Sequence, residues 1–214
     1  QPLVEDDDVR LGPIDKLEDG TLVWPASFAA HADEYCRFVG EDTILLTEVT
    51  EEEAASNPVD AENKRRIDAA YEILKNTVLP DGRPLNIIRI PSPKHMHCRE
   101  KQEDPMVQGW KQFFDEIGGS AFDGTPWPEG DYCLLTSCSY GNFLICNDVV
   151  LTQKYWREGL DPAIREKDEQ ALAVFKQVFP DRTIIPIDSY ELNLYGGGVH
   201  CWTKNVFIPQ KSND

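Results

Sequence analysis

The feature that most limits what this chain can fold into is an order of elements that occurs twice. Tyr35 to Val39 and Thr43 to Val49 are β-prone runs separated by Gly40-Glu41-Asp42, the spacing of a hairpin with a short glycine-containing loop. From about Asp60, the residues Ile67, Ala70, Tyr71, Leu74 and Val78 fall at three- and four-residue steps. That places an apolar stripe on a helix ending before Pro80-Asp81-Gly82, and Asn86 to Ile90 is again strand-like. Further along the pattern returns. Tyr132 to Thr136 and Phe143 to Cys146 read as strands, Asn147-Asp148 as a turn and Val149 to Gln153 as a strand. Asp168 to Phe179 then reads as a helix with Ala171, Leu172, Phe175 and Val178 inward, and Thr183 to Ile187 as a strand. Units of strand, strand, helix, strand predict an α+β fold built from ββαβ modules rather than a doubly wound sheet. Gly196 to Ile208 begins a third module that the chain does not finish, so the implied architecture is a partial ring or propeller of about three modules.

The remaining stretches frame these units. Residues 1 to 20 are polar and turn-rich, and they approach a first strand at Thr21 to Trp24. Between Pro91 and Gly130 the order breaks down, and this segment, roughly 93–130, reads as an insertion. It holds one helix candidate with Met106, Trp110, Phe113, Phe114 and Ile117 at helical spacing, a stripe expected to pack in a core.

Charge narrows the partners. Among 214 residues, 38 are acidic and 21 basic, for a formal net charge of −17, which argues against nucleic acid and against an anionic membrane surface. The same charge suits a small cation. No apolar run approaches the ~18 residues of a membrane span. Six cysteines at 36, 98, 133, 138, 146 and 201 form no CxxC pair, so free thiols and a cytoplasmic location are expected. The chain opens on Gln1 instead of Met, and the expectation is that its native N-terminus is missing.

Four places could carry chemistry. Gly196-Gly197-Gly198 precedes Val199-His200-Cys201, and glycines let the backbone approach a ligand closely just before a thiol, which makes Cys201 a candidate nucleophile. On spacing alone, the favoured reading is that the glycines only make a turn and Cys201 is a small buried apolar residue behind it. His31 and Asp33 fall on one face if their segment is extended, an arrangement for proton transfer and cation binding, and an exposed loop entry is the alternative. Asn142 stands where a loop enters a strand and can offer both a donor and an acceptor, or simply make the turn. His95, His97 and Cys98 form one short cluster with no second set of ligands, so no metal is expected. His200 faces away from Cys201 on a regular strand, which predicts a structural role for it.

These motifs carry a resemblance. The closing segment FPDRTIIPIDSYELNLYGGGVHCWTKN resembles the nucleophile region of the agmatine deiminase and Porphyromonas-type peptidylarginine deiminase family. HADEYCRFV followed by TILLTEV is similar to that family's His-x-Asp motif and hairpin, and SYGNFLICNDVVL to its Ser-Tyr-x-Asn-Phe strand. The resemblance implies a pentein fold, with ββαβ modules about a pseudo-fivefold axis and a central site, here an incomplete ring of about three of five modules. It implies that Cys201 attacks a guanidinium carbon, that His31 is the general acid/base, and that Asp33, Asn142 and Gly198 bind substrate. No cofactor or metal is implied. The implied substrate is a small guanidino cation, agmatine first and the arginine side chain as the alternative. The family carries a further acidic ligand in an N-terminal half not recognisable here, so missing modules or an oligomer partner are expected to complete the site. Two other readings share these residues: a non-catalytic cation-binding or assembly fragment, and a transferase passing an amidino group to an amine.

Overall fold

The computed structural model describes residues 3–27, 31–194 and 196–206. Thr43–Glu48 (β4) pairs antiparallel with Cys36–Phe38 (β3) and parallel with Asn86–Pro91 (β5), in the order β3-β4-β5. Alternation along a central strand sends successive side chains to opposite faces. Ile44 and Leu46 enter a cluster with Leu3 and Ile67, while Leu45 enters another with Ile90, Tyr140, Phe143 and Phe175. Both faces of β4 are therefore covered, which is why Ile44, Leu45, Leu46 and Thr47 are all buried.

The helix between β4 and β5 begins earlier than its apolar stripe. A short helix, Glu51–Ser56 (α1), starts at a capping box formed by Thr50 and Glu53, and Pro58–Lys75 (α2) follows with the Asn57 side chain accepting from the Asp60 N–H. Helix α2 stops at Lys75, so Val78, expected on its inner face, is exposed.

The second unit repeats the first in strand order and direction. Leu144–Cys146 (β8) runs antiparallel to Val149–Lys154 (β9), which runs parallel to Thr183–Asp188 (β10), with Pro162–Val178 (α4) between them. Helix α4 starts six residues before the expected Asp168. The Asp161 side chain accepts from the Ala163 N–H and Pro162 occupies the first turn, a start signal that the sparse apolar content of those turns conceals.

Tyr132–Leu135 (β7) does not open this second unit as the periodicity suggests. It pairs parallel with Leu22–Pro25 (β2) and antiparallel with His97–Glu100 (β6), and Asp15–Lys16 (β1) completes a sheet ordered β1-β2-β7-β6. The reason is burial on both faces. Tyr132 and Leu134 pack with Trp24, Trp110, Phe114 and Trp127, the Trp127 and Tyr132 rings stacking at 4.7 Å, while Cys133 and Leu135 pack with Val4, Val23 and Val59. The stretch from Pro91 to Gly130 thus supplies β6 and the helix Pro105–Glu116 (α3) to this sheet and its aromatic core.

After β10 a short helix, Tyr190–Leu194 (α5), leads to the closing segment. Residues 199–202 form turns, so the strand expected there is not present; Phe207 and Ile208 lie outside the described residues. No helix among the described residues is long and apolar enough to cross a membrane.

Candidate active site

The loop Ser139–Asn142 is the hub on which the site is assembled. The Ser139 N–H donates to the Tyr155 hydroxyl at 2.7 Å, and the Ser139 hydroxyl donates to the Glu34 carbonyl and accepts from the Gly141 N–H at 2.9 Å. This fixes Asn142, which is fully buried. Its Nδ2 donates to Asp33 Oδ2 at 2.8 Å and reaches Cys201 Sγ at 3.0 Å. Its Oδ1 accepts the N–H groups of His200 at 2.9 Å and Cys201 at 3.1 Å. Both donors and the acceptor of one amide are thereby used to dock the turn carrying Cys201 against the segment carrying Asp33.

Asp33 lies in the 3-10 turn Ala32–Glu34, so the extended geometry expected to align it with His31 does not occur. Its Oδ2 lies 2.6 Å from His200 Nδ1 and 3.4 Å from Cys201 Sγ. His31 has a different partner: its N–H donates to Asp6 Oδ2 at 2.5 Å, and its Nδ1 lies 3.1 Å from Asp6 Oδ1.

His200 is the residue that sequence reasoning misplaced. The prediction that it points away from Cys201 assumed a strand, and the turn brings its ring to the Asp33 carboxylate instead. The consecutive glycines were the available signal. Gly197 has φ +87°, and a side chain there would strike that of Cys201, so the backbone turns where a strand would have continued. The space in front of Gly198 is taken by the Gln153 amide, which a Cβ at 198 would strike.

Electrostatics separate the two reactive groups. Burial works against the Asp33 carboxylate, but hydrogen bonds from His200 and Cys201, and the His200 charge, outweigh it and hold its carboxyl below the usual range. Burial raises the Cys201 thiol, the Asn142 bond only partly opposes this, and Glu34 and Asp33 add to it, leaving it at about 11. Arg37 is the half-buried cation nearby: its guanidinium sits 4.8 Å over the Phe143 ring and donates to the Phe143 carbonyl at 2.9 Å. Convergent carboxylate, imidazole and thiol atoms of Asp33, His200 and Cys201, all within 4.8 Å, suit a cation rich in N–H donors. His95 and Cys98 are committed elsewhere, His95 Nε2 to Asp60 at 2.9 Å and Cys98 Sγ to Glu100 at 2.9 Å. A surface depression of about 810 Å³ lined by Cys146, Asn147, Arg182 and Lys204 holds none of Asp33, Asn142 or Cys201.

A mixed α+β chain of small sheets, with a thiol, a carboxylate and an imidazole brought together by one amide, defines the class in which its relatives were found. The chain belongs to the Porphyromonas-type peptidyl-arginine deiminase family, whose model matches residues 16–206. It is similar to an agmatine deiminase of Pseudomonas putida, 28% identical over 203 residues that cover 92% of this chain and 47% of the relative. The solved agmatine deiminase of Enterococcus faecalis resembles it with a TM-score of 0.52 and 25% identity, over 81% of this chain and 39% of that one. The chain therefore spans less than half the length of these relatives.

Proposed function

We propose that this chain carries the catalytic thiol and one guanidinium-binding carboxylate of an amidine hydrolase. Agmatine, giving N-carbamoylputrescine and ammonia, is the first substrate, and the arginine side chain of a protein is the alternative suggested by the family. The observation that carries this reading is the 3.4 Å approach of Cys201 Sγ to Asp33 Oδ2 with Asn142 bridging them, since a guanidinium held on that carboxylate presents its carbon to the sulfur. Asp33 supplies charge-assisted hydrogen bonds to the substrate nitrogens. The thiol gives up its proton and the sulfur adds to the guanidinium carbon, producing a tetrahedral centre. One amine takes a proton and leaves as ammonia, and water then attacks the S-alkylthiouronium to release the ureido product. His31 is the proton carrier in this scheme, with Asp6 on its Nδ1 fixing the ring.

In the same reading the two matching three-stranded sheets are modules of a pentein ring that this chain leaves incomplete, and further modules or a partner close the site. The test is ammonia release from agmatine, free arginine and an arginyl peptide, with wild type and Cys201→Ser. Release from at least one substrate and a loss of more than a thousandfold in the folded variant is the expected result. A haloacetamidine label that modifies another cysteine and spares Cys201 overturns the assignment.

A further inference from the structure

Three donor atoms of different chemistry converge where Cys201 meets Asp33. Asp33 Oδ2, His200 Nδ1 and Cys201 Sγ lie within 4.8 Å of one another, and among the described residues they are the one such grouping of three His, Cys, Asp or Glu side chains. Carboxylate, imidazole and thiolate are the donors that Zn²⁺ takes in tetrahedral sites, with bonds of about 2.0 Å to oxygen and nitrogen and about 2.3 Å to sulfur. Such bonds set sulfur and oxygen about 3.5 Å apart, and nitrogen and oxygen about 3.3 Å apart. Cys201 Sγ and Asp33 Oδ2 already stand at 3.4 Å. His200 Nδ1 is 2.6 Å from Asp33 Oδ2, a separation bridged by one hydrogen, so the ring must withdraw by about 0.7 Å when a metal takes that hydrogen's place. The His200 side chain is 42% exposed and sits on a turn, which leaves it room to do so. Asn142 supports the ligands from behind: its buried Nδ2 donates to Asp33 Oδ2 at 2.8 Å and reaches Cys201 Sγ at 3.0 Å, the kind of outer hydrogen bond that orients metal ligands. Cys201 itself is exposed, which gives a cation a path to the sulfur.

We propose that Asp33, His200 and Cys201 form a reversible inhibitory site for Zn²⁺, which binds in place of the guanidino substrate. The inhibition rests on the deimination reading, whereas the metal binding stands without it. Cys201 releases its thiol proton to solvent as the sulfur–zinc bond forms. His200 keeps its ring proton on Nε2 and gives the Nδ1 lone pair, one Asp33 oxygen supplies the third bond, and a water retained by the metal fills the fourth position. Two anionic ligands cancel the charge of the ion. The sulfur lone pair that attacks the guanidinium carbon and the oxygen that grips its nitrogens are then both occupied, so metal and substrate exclude each other. Mg²⁺ and Ca²⁺ favour all-oxygen sites of six or more ligands and find no such set in these three residues. The other cysteine–histidine cluster of the chain does not compete, because His95 is held by Asp60 and Cys98 by Glu100.

The test titrates the full chain, reduced and freed of metal, with Co²⁺ as a coloured stand-in and then with Zn²⁺. Expected are one Co²⁺ per chain, the thiolate-to-cobalt charge-transfer band and visible bands of a tetrahedral site, and loss of all of them as Zn²⁺ displaces the cobalt. Cys201→Ser should abolish the charge-transfer band, with Cys201→Ala standing in should it fail to fold. His200→Ala should weaken Co²⁺ and Zn²⁺ binding about tenfold or more, and Cys98→Ser should leave both unchanged. No charge-transfer band in the parent chain, an undiminished band in the folded Cys201 variants, or equal affinity in folded His200→Ala overturns the metal site. Ammonia release is then followed with Zn²⁺ present. A rise in the KM for agmatine at constant kcat, reversed by a chelator, is the expected inhibition, and turnover unchanged with the metal site saturated overturns it. Metal binding at Cys201 in a chain that releases no ammonia from any guanidino substrate overturns the deimination reading and the inhibitory role, and leaves the metal site standing.

Discussion

Asn142 and Cys201 show how far one amide can govern a reactive sulfur. The Asn142 side chain makes four hydrogen bonds, to Asp33, to Cys201 Sγ and from the His200 and Cys201 N–H groups. Asn142→Ala should cost roughly 2–3 kcal/mol, because buried partners are left unsatisfied as well as bonds lost. Urea denaturation reads this directly, and a change below about 0.5 kcal/mol would show that the amide is dispensable to the fold. The thiol raised to about 11 implies a protonated resting state at neutral pH. Iodoacetamide modification of Cys201, followed by peptide mass spectrometry, should therefore climb about tenfold per pH unit from pH 7 and level only near the pKa. A plateau by pH 8 would contradict it. Cys201, Asp33 and Asn142 were legible as candidates because glycine runs, paired charges and loop-to-strand junctions are local signals. His200 was lost because a single assumption, that residues 199–201 are extended, reversed its direction. The burial of Glu34, next to Asp33 in the chain, was not legible, since only the fold produces it.

At the scale of elements, Asp168 on α4 connects the second unit to the hub loop. Its carboxylate accepts from the N–H groups of Tyr155 at 3.0 Å and Trp156 at 2.8 Å and from the Tyr140 hydroxyl at 2.6 Å. Asp168→Ala leaves three donors without their acceptor and should cost about 3 kcal/mol, whereas Tyr140→Phe removes one bond and should cost about 1 kcal/mol. Equal losses in the two variants would mean that the backbone contacts of Asp168 contribute nothing. The two hairpins and the helices α2 and α4 were readable from period and turn residues. Their starts were not, since Asn57-Pro58 and Asp161-Pro162 act before the apolar stripe begins. The pairing of β7 with β2 was beyond reach for a different reason: periodicity reports which face of a strand is buried, not which distant strand lies beside it.

Across the whole molecule, buried acids set the pH response. Glu5, Asp6 and Glu34 are each under 4% exposed, and burial raises all three above their usual range. A carboxyl raised in the folded state binds its proton more tightly than in the unfolded chain. The stability it contributes is present below the unfolded value, near 4, and is lost as pH rises through the folded value. Asp33, Glu53 and Asp60 are lowered by their partners despite burial and act in the opposite sense, losing their contribution as pH falls. The melting temperature should therefore peak in the mildly acidic range and decline toward pH 8. Glu34→Gln, which cannot ionise, should flatten that decline. A melting temperature that rises from pH 5.5 to 8 would remove the buried acids as its cause.

The parallel pairing of β2 with β7 also bears on how the chain reaches this state. Val23 lies opposite Cys133, so on the ribosome the early strand emerges with Trp24 exposed long before its neighbour has been made. The aromatic core around that tryptophan can close only after roughly a hundred more residues have been synthesised, a late and slow event for a contact so distant in the chain. Until then the nascent polypeptide offers chaperones an open strand edge and an uncovered indole, and a tryptophan-fluorescence phase lagging behind hairpin formation is its kinetic signature.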